Sequence, residues 1–129
     1  MPESLHPALV IRAVSDYFGI PMELLMGRQR RMPIVLYRQV AMYLSRQLCS
    51  DWSLPMLGQV FGRDHTTILY ADRKLSQIRS GTALARDMEA IAASLRDPAL
   101  AANAEASISW LQFARMHADK FTSPYTVRS

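Results

Sequence analysis

Residues 62–67 read GRDHTT and separate two stretches in which apolar residues recur at helical spacing. The first stretch covers residues 54–61, and the second begins at Ile68. Gly62 favours the end of one helix, and Asp64 is a preferred residue at the start of the next. Two short helices joined by so tight a turn are typical of a helix-turn-helix, whose second helix presents its N-terminal turn to DNA.

Four polar side chains, Asp64, His65, Thr66 and Thr67, occupy the first turn of that second helix. A helix N-terminus carries unpaired N–H groups and a partial positive charge. A threonine can bond a base edge and touch a thymine methyl, and a carboxylate can accept from cytosine N4. We therefore predict that these four residues read bases of double-stranded DNA. The alternative is that Asp64 serves only as the N-cap of the helix.

Apolar residues recur at helical spacing over nearly the whole chain, and no stretch alternates with period two. The predicted helices cover about 10–18, 21–26, 36–48, 54–61, 64–79, 84–95 and 99–120. We predict an all-α fold, with a helix-turn-helix domain of the Trp-repressor-like kind in residues 1–97. Residues 98–129 are predicted to form a C-terminal extension with one extra helix and a frayed tail.

Composition favours a reduced compartment and an anionic partner. Half of the 129 residues are apolar, the formal charge is +4, and Cys49 is the single cysteine. Arginine supplies almost all of the positive charge, and its planar fork suits phosphate and guanine edges. Neither a membrane-spanning apolar run nor a leader is visible, so we expect a cytoplasmic, nucleoid-associated protein that does not bind membranes.

A basic loop follows the second predicted helix. Between Glu23 and Asp51 the chain has no acidic residue, and Arg28, Arg30 and Arg31 lie in a stretch without helical spacing. Such an extended segment can enter a groove or straddle phosphates. The alternative is a solvated basic loop with no ligand.

Arg38 and Arg46 are eight residues apart on the longest predicted helix. Eight residues are about two turns, so we expect both side chains to project from nearly the same side and to brace one DNA strand. The alternative is an ordinary pair of surface charges.

Signatures of catalysis are absent from the sequence. It contains no GxxxxGK[ST] phosphate loop, no GxSxG, no HExxH and no paired cysteines. The histidines, His6, His65 and His117, lack the spacing of metal ligands. We therefore predict that the chain is not an enzyme and holds neither a cofactor nor a metal ion.

The order of these motifs resembles domain IV of the bacterial replication initiator DnaA. The resemblance covers roughly residues 8–96 and rests on RDHTT at 63–67 after SLP at 53–55, with Gly58 and Phe61-Gly62 between them. It also includes Val14 and Tyr17-Phe18, Leu24-Leu25 before the basic loop, RQVAM at 38–42, and Arg73-Lys74.

This resemblance implies binding to short DnaA-box-like sites. Residues 64–67 would read the major groove, and Arg30 or Arg31 would enter the adjacent minor groove. A further set of positions would contact the DNA backbone, some of them through backbone N–H groups. This set comprises Arg38, Gln39, Arg46, Leu54, Pro55, Arg63, Arg73 and Lys74.

Two departures from the family pattern bear on function. The family has two glycines before RDHTT, whereas this chain has only Gly62, which predicts a tighter turn. The initiator places this domain behind an ATPase module, and here it begins within the first ten residues. We therefore expect a stand-alone DNA binder that regulates replication initiation or transcription without ATPase activity.

The extension supports a competing hypothesis of a different class. Residues 98–129 would bind a partner protein or mediate self-association, and DNA contact would be vestigial. Its apolar residues at loose helical spacing include Trp110, Leu111, Phe113 and Met116. The simpler alternative is that Leu100, Ile108 and Leu111 pack back on the domain.

Overall fold

The computed structural model describes residues 5–97 and 104–117 and contains seven helices there, without a strand. The all-α prediction is confirmed. The helices are α1 (Pro7–Phe18), α2 (Met22–Met26), α3 (Ile34–Leu48), α4 (Leu54–Phe61), α5 (His65–Ser76), α6 (Ala83–Ser94) and α7 (Ala104–His117). Helices α4 and α5 are the predicted helix-turn-helix.

Local side-chain chemistry sets most helix ends. Gly19 closes α1 in the left-handed region with φ 68°, and its N–H donates to the Ser15 carbonyl. The Ser53 hydroxyl accepts the Met56 N–H at 3.3 Å and so caps α4. Thr82 caps α6 in the same way. These caps satisfy N–H and C=O groups that would otherwise lack partners at the helix ends.

The core lies where α3 packs against α1 and α5, with α4 against α5. Its largest fully buried side chains are Ile11, Met22, Leu25, Ile34, Met42, Leu57, Phe61, Ile68, Leu75 and Ile91. Close packing of these side chains fixes the angle of the helix-turn-helix relative to the rest of the domain. None of the helices in the described ranges is long and apolar enough to cross a membrane.

Helix α5 ends earlier than the sequence indicates, at Ser76 instead of about Arg79. The Ser76 hydroxyl donates to the Arg73 carbonyl at 2.9 Å, and the Ile78 N–H bonds the Leu75 carbonyl in a tighter turn. A serine that returns a hydrogen bond to its own backbone competes with the helix, which explains the early end.

Helix α7 packs on α1 and α2. Ser107, Leu111 and Ala114 are buried on its inner face, and Ile108 is half-buried. The alternative that Ile108 and Leu111 pack back on the domain is confirmed for these two residues, while Leu100 lies outside the described residues. The predicted domain boundary at 97/98 adjoins residues 98–103, which are also outside them, and stays a prediction.

Candidate nucleic-acid interface

The turn between α4 and α5 depends on two glycines. Gly62 has φ 63°, a left-handed conformation that side chains other than glycine rarely adopt. Gly58 lets the turn approach α4, since a Cβ there would lie 2.7 Å from the Arg63 carbonyl oxygen and 3.2 Å from the His65 nitrogen. The Arg63 N–H in turn donates to the Gly58 carbonyl at 2.9 Å. Sequence reasoning had assigned no steric role to Gly58.

Asp64 is the N-cap of α5, as the capping alternative predicted. Its Oδ1 accepts the Thr66 N–H at 2.9 Å and the Thr66 hydroxyl at 3.0 Å. The hydrogen bond from the Thr66 backbone is the main reason that the pKa of Asp64 is lowered. Its side chain is nevertheless 67% exposed, so capping leaves the carboxylate accessible from outside.

The other three side chains of the motif are all on the surface. His65 is 54% exposed and lies 3.3 Å from Asp64 through its Nδ1. Thr66 and Thr67 are exposed in the same first turn. The turn therefore presents a carboxylate, an imidazole, two hydroxyls and two methyl groups, which is chemistry that matches base edges in a major groove.

Arg63 is half-buried and ties the turn to α2. Its Nη1 donates to the Phe61 carbonyl at 3.0 Å and to the Met26 carbonyl at 3.4 Å, and its Nη2 donates to the Gly27 carbonyl. A cation bonded to the last carbonyls of a helix satisfies acceptors that the helix leaves open. In this arrangement the predicted backbone-contacting guanidinium holds the turn in place.

Arg38 is buried, with only 6% of its surface exposed. Its Nε donates to the Leu25 carbonyl at 2.7 Å, Nη1 to the Gln29 carbonyl at 2.9 Å and Nη2 to the Leu24 carbonyl at 3.4 Å. Burial, with a smaller contribution from the charge of Arg63, lowers the pKa of Arg38 to about 10. The side chain stays charged at neutral pH and anchors the start of the basic loop.

The predicted common side for Arg38 and Arg46 is therefore wrong, because Arg46 is exposed near the end of α3. Eight residues turn a helix by about 80° beyond two full turns. That rotation is enough to point one side chain at the α2 carbonyls and the other at solvent. Of the two side chains, only that of Arg46 is presented to solvent.

The basic loop presents its arginines to solvent. Arg28, Arg30 and Arg31 are all exposed. The loop backbone is held at two points, by the bond from Arg38 to Gln29 and by the Val35 N–H, which donates to the Arg31 carbonyl at 3.1 Å. A fixed backbone with free-standing guanidinium groups is suited to an anionic surface.

The remaining predicted positions lie on two edges of the helix-turn-helix. Pro55 is exposed and Leu54 half-buried in the first turn of α4. Arg73 and Lys74 are exposed in the last turn of α5, and Lys74 donates to the Gln39 side chain at 3.0 Å. Lys74 is about 14 Å from His65 along the axis of α5, given a rise of about 1.5 Å per residue.

A concavity of about 660 Å³ lies between α4 and the start of α5. We call it the α4–α5 concavity; its lining comprises Pro55, Gly58, Gln59, Gly62, Arg63, Asp64, His65 and Arg115. It brings together the cap, the histidine and the start of α4. Arg115, on α7, was absent from the sequence-based set because only the packing of α7 carries it there.

Cys49 is fully buried, and burial raises the pKa of its thiol to about 12. The thiolate that nucleophilic chemistry needs is therefore negligible at neutral pH. Within 5–97 and 104–117, no three His, Cys, Asp or Glu residues form a group that could hold a metal ion.

Comparison with known proteins places these features in a family. The family model described as the bacterial dnaA protein helix-turn-helix matches residues 7–75. Chromosomal replication initiator proteins DnaA from two strains of Thermus thermophilus are each 44% identical to the chain over 92 residues. That match covers 70% of this chain and 20% of each relative, so the chain spans about a fifth of their length.

Proposed function

The chain belongs to the family of the bacterial DnaA helix-turn-helix, and from this premise we propose that it binds double-stranded DNA sequence-specifically at DnaA-box-like sites. DNA binding connected with replication initiation is the property that the family supports. The finer proposal, recognition of a particular base sequence, comes from the side chains on the first turn of α5.

The observation that carries the proposal is the exposed first turn of α5. Asp64 is oriented by two hydrogen bonds to Thr66, and His65 and Thr67 are exposed beside it. Groups fixed before binding lose little conformational freedom when they meet a base pair. A polar turn whose carboxylate is already oriented is therefore well suited to reading the floor of a major groove.

Backbone contacts would come from both sides of this turn. The N-terminus of α4, where Pro55 is exposed, would place the partial positive charge of the helix start beside one phosphate. Arg46 and the arginines of the basic loop would contact the other side, with Arg30 or Arg31 in the minor groove. Such contacts position the protein on the duplex but do not specify the sequence.

We further propose that the chain acts by occupying such sites, and so regulates replication initiation or transcription without a catalytic reaction of its own. The Cys49 thiol has a raised pKa, and no group of three His, Cys, Asp or Glu residues among those described could hold a metal ion. A nucleoid-associated, cytoplasmic location follows from this proposed role.

Binding of the full chain to two labelled duplexes tests the proposal. One duplex contains a DnaA-box sequence and the other has the same base composition in scrambled order. We expect His65→Ala and Thr67→Ala each to lower the ratio of the two affinities by roughly 5- to 150-fold, the equivalent of about 1–3 kcal/mol.

His117→Ala is the matched control, because His117 is also exposed but lies on α7. It should leave the affinity ratio unchanged. Equal affinities of the wild-type chain for the two duplexes at physiological salt would refute specific recognition, even if both bind.

A second candidate function is self-association through α7, favoured by its exposed apolar side chains. Trp110, Phe113 and Met116 are 42%, 55% and 73% exposed. Sedimentation of the wild-type chain and of the double variant Phe113→Ser, Met116→Ser over a wide concentration range tests it. A wild-type chain that stays monomeric throughout would eliminate this candidate.

A further inference from the structure

Arg115 is a cation on α7 that lies beside the turn between α4 and α5. It is exposed and lines the α4–α5 concavity together with Asp64 and His65. Its Nη2 is only 3.7 Å from the position that a Cβ on Gly62 would take. Arg115 follows Gly62 by more than fifty residues and lies outside the region, 7–75, that the family model matches.

The packing of α7 fixes this position. Leu111 is 5% exposed and Ala114, directly before Arg115, is fully buried. At the other end of the helix, Arg12 of α1 donates through Nη1 to the Ser107 hydroxyl at 3.2 Å, and its guanidinium lies 4.8 Å from the centre of the Trp110 ring. The inner face of α7 is thus held at both ends, and Arg115 projects from a supported helix.

The electrostatics of the concavity favour an anion beside Arg115. Within the part of the chain that the structure describes, no carboxylate lies within ion-pair distance of Arg115. Asp64 is the one acidic residue of the lining, beside the two arginines Arg63 and Arg115, so the lining carries a net positive charge. Near Asp64 are the half-buried Arg63 and the N-terminus of α5, which carries partial positive charge. A concavity with net positive charge beside a helix N-terminus attracts an anion.

We propose that Arg115 contacts a backbone phosphate of the DNA that α5 reads, so that α7 extends the interface beyond the helix-turn-helix. This inference rests on the proposed function, because the phosphate belongs to the same bound duplex. The guanidinium would donate two parallel hydrogen bonds to the phosphate oxygens, which a planar fork does well. A phosphate contact adds affinity for any sequence and leaves the choice of base to the first turn of α5.

The test compares Arg115→Ala and Arg115→Lys with a matched control, Arg86→Ala. Arg86 is also an exposed arginine, but it lies on α6, which packs on α1 and α3. Affinities of the full chains for the DnaA-box duplex and the scrambled duplex are measured from about 50 to about 200 mM salt. Because Arg115 is exposed, we expect all three variants to keep the thermal unfolding midpoint of the wild type.

Loss of one phosphate contact should weaken binding to both duplexes and reduce the log–log salt slope by about 0.9. The ratio of the wild-type affinity to the affinity of Arg115→Ala should therefore fall by about 3.5-fold across that salt range. Arg115→Lys should keep the slope, since it retains the charge, and Arg86→Ala should match the wild type.

Two results would overturn the assignment. One is an Arg115→Ala variant with the salt slope of the wild type; the other is tighter binding by that variant, which would mean that α7 obstructs the duplex. Either can occur while the wild-type chain still discriminates the two duplexes, so the proposed function would survive. A wild-type chain that binds neither duplex would refute both proposals.

Discussion

Removing the Arg38 side chain should destabilise the domain, whereas removing Arg46 from the same helix should not. Arg38 makes two short hydrogen bonds, to Leu25 and Gln29, and one longer bond, to Leu24. A hydrogen bond from a charged group contributes about 1.5–3 kcal/mol, and water can reach part of the loop once the side chain is gone. We therefore expect Arg38→Ala to lower the free energy of unfolding by about 2–4 kcal/mol.

For a chain of this length that loss corresponds to a decrease in Tm of roughly 7–15 °C. Arg46→Ala should change the free energy of unfolding by less than about 0.5 kcal/mol, as expected of an exposed position without special contacts. Arg38→Lys keeps the charge but not the fork, so its Tm should lie between those of the wild type and Arg38→Ala.

Urea and thermal unfolding followed by circular dichroism measure both effects, and the duplex titration is repeated for each variant. Arg46→Ala should reduce the salt slope by about 0.9 with Tm unchanged. If Arg38→Ala unfolds like Arg46→Ala and weakens DNA binding equally, then Arg38 acts on DNA directly and its structural role is refuted.

Three further outcomes test the turn and the first helix. Gly58→Ala should destabilise by about 1–2 kcal/mol, because its Cβ would meet the Arg63 carbonyl at 2.7 Å; a gain of about 1 kcal/mol, as in an ordinary helix, would contradict this. Asp64→Ala should lower Tm more than Asp64→Asn, which keeps a capping oxygen, and equal Tm values would exclude the cap. Burial lowers the pKa of His6, whose Nδ1 accepts the Ala8 N–H. The contribution of His6 to the free energy of unfolding should therefore be fully present above pH 6.5 and decrease below it, because the unfolded state takes up the proton first. His6→Asn should remove that part of the pH dependence, measured by urea unfolding, and an unchanged dependence would assign it to other groups.

The local features of the fold could be predicted well. Gly19, Ser53 and Asp64 end or begin helices where the sequence indicated, because each acts on backbone groups within four residues of itself. The helix-turn-helix followed from the same signals. The end of α5 was placed about three residues too late, since the bond that Ser76 returns to Arg73 has no strong signature in an apolar pattern.

The directions of the arginines could not be predicted in the same way. Arg38 bonds a carbonyl 13 residues away, Arg63 one that is 37 residues away, and Arg12 a hydroxyl 95 residues away. Whether an arginine meets solvent or a carbonyl depends on which distant helix packs over it. Until the packing is known, a basic residue in a predicted interface can therefore either contact the ligand or support the fold by bonding distant carbonyls.

The sequence by itself determined the helices, their caps and the polar first turn of α5, because these depend on hydrogen bonds and periodicity between near neighbours. It also determined the family, through the order of motifs within residues 7–75. Only the tertiary structure decided that Arg38 and Arg63 bond the carbonyls around the end of α2, that Gly58 must lack a side chain, and that Arg115 lies beside the turn between α4 and α5. Each of these follows from the close packing of helices that are distant in the chain, and such packing places side chains that no local pattern can orient.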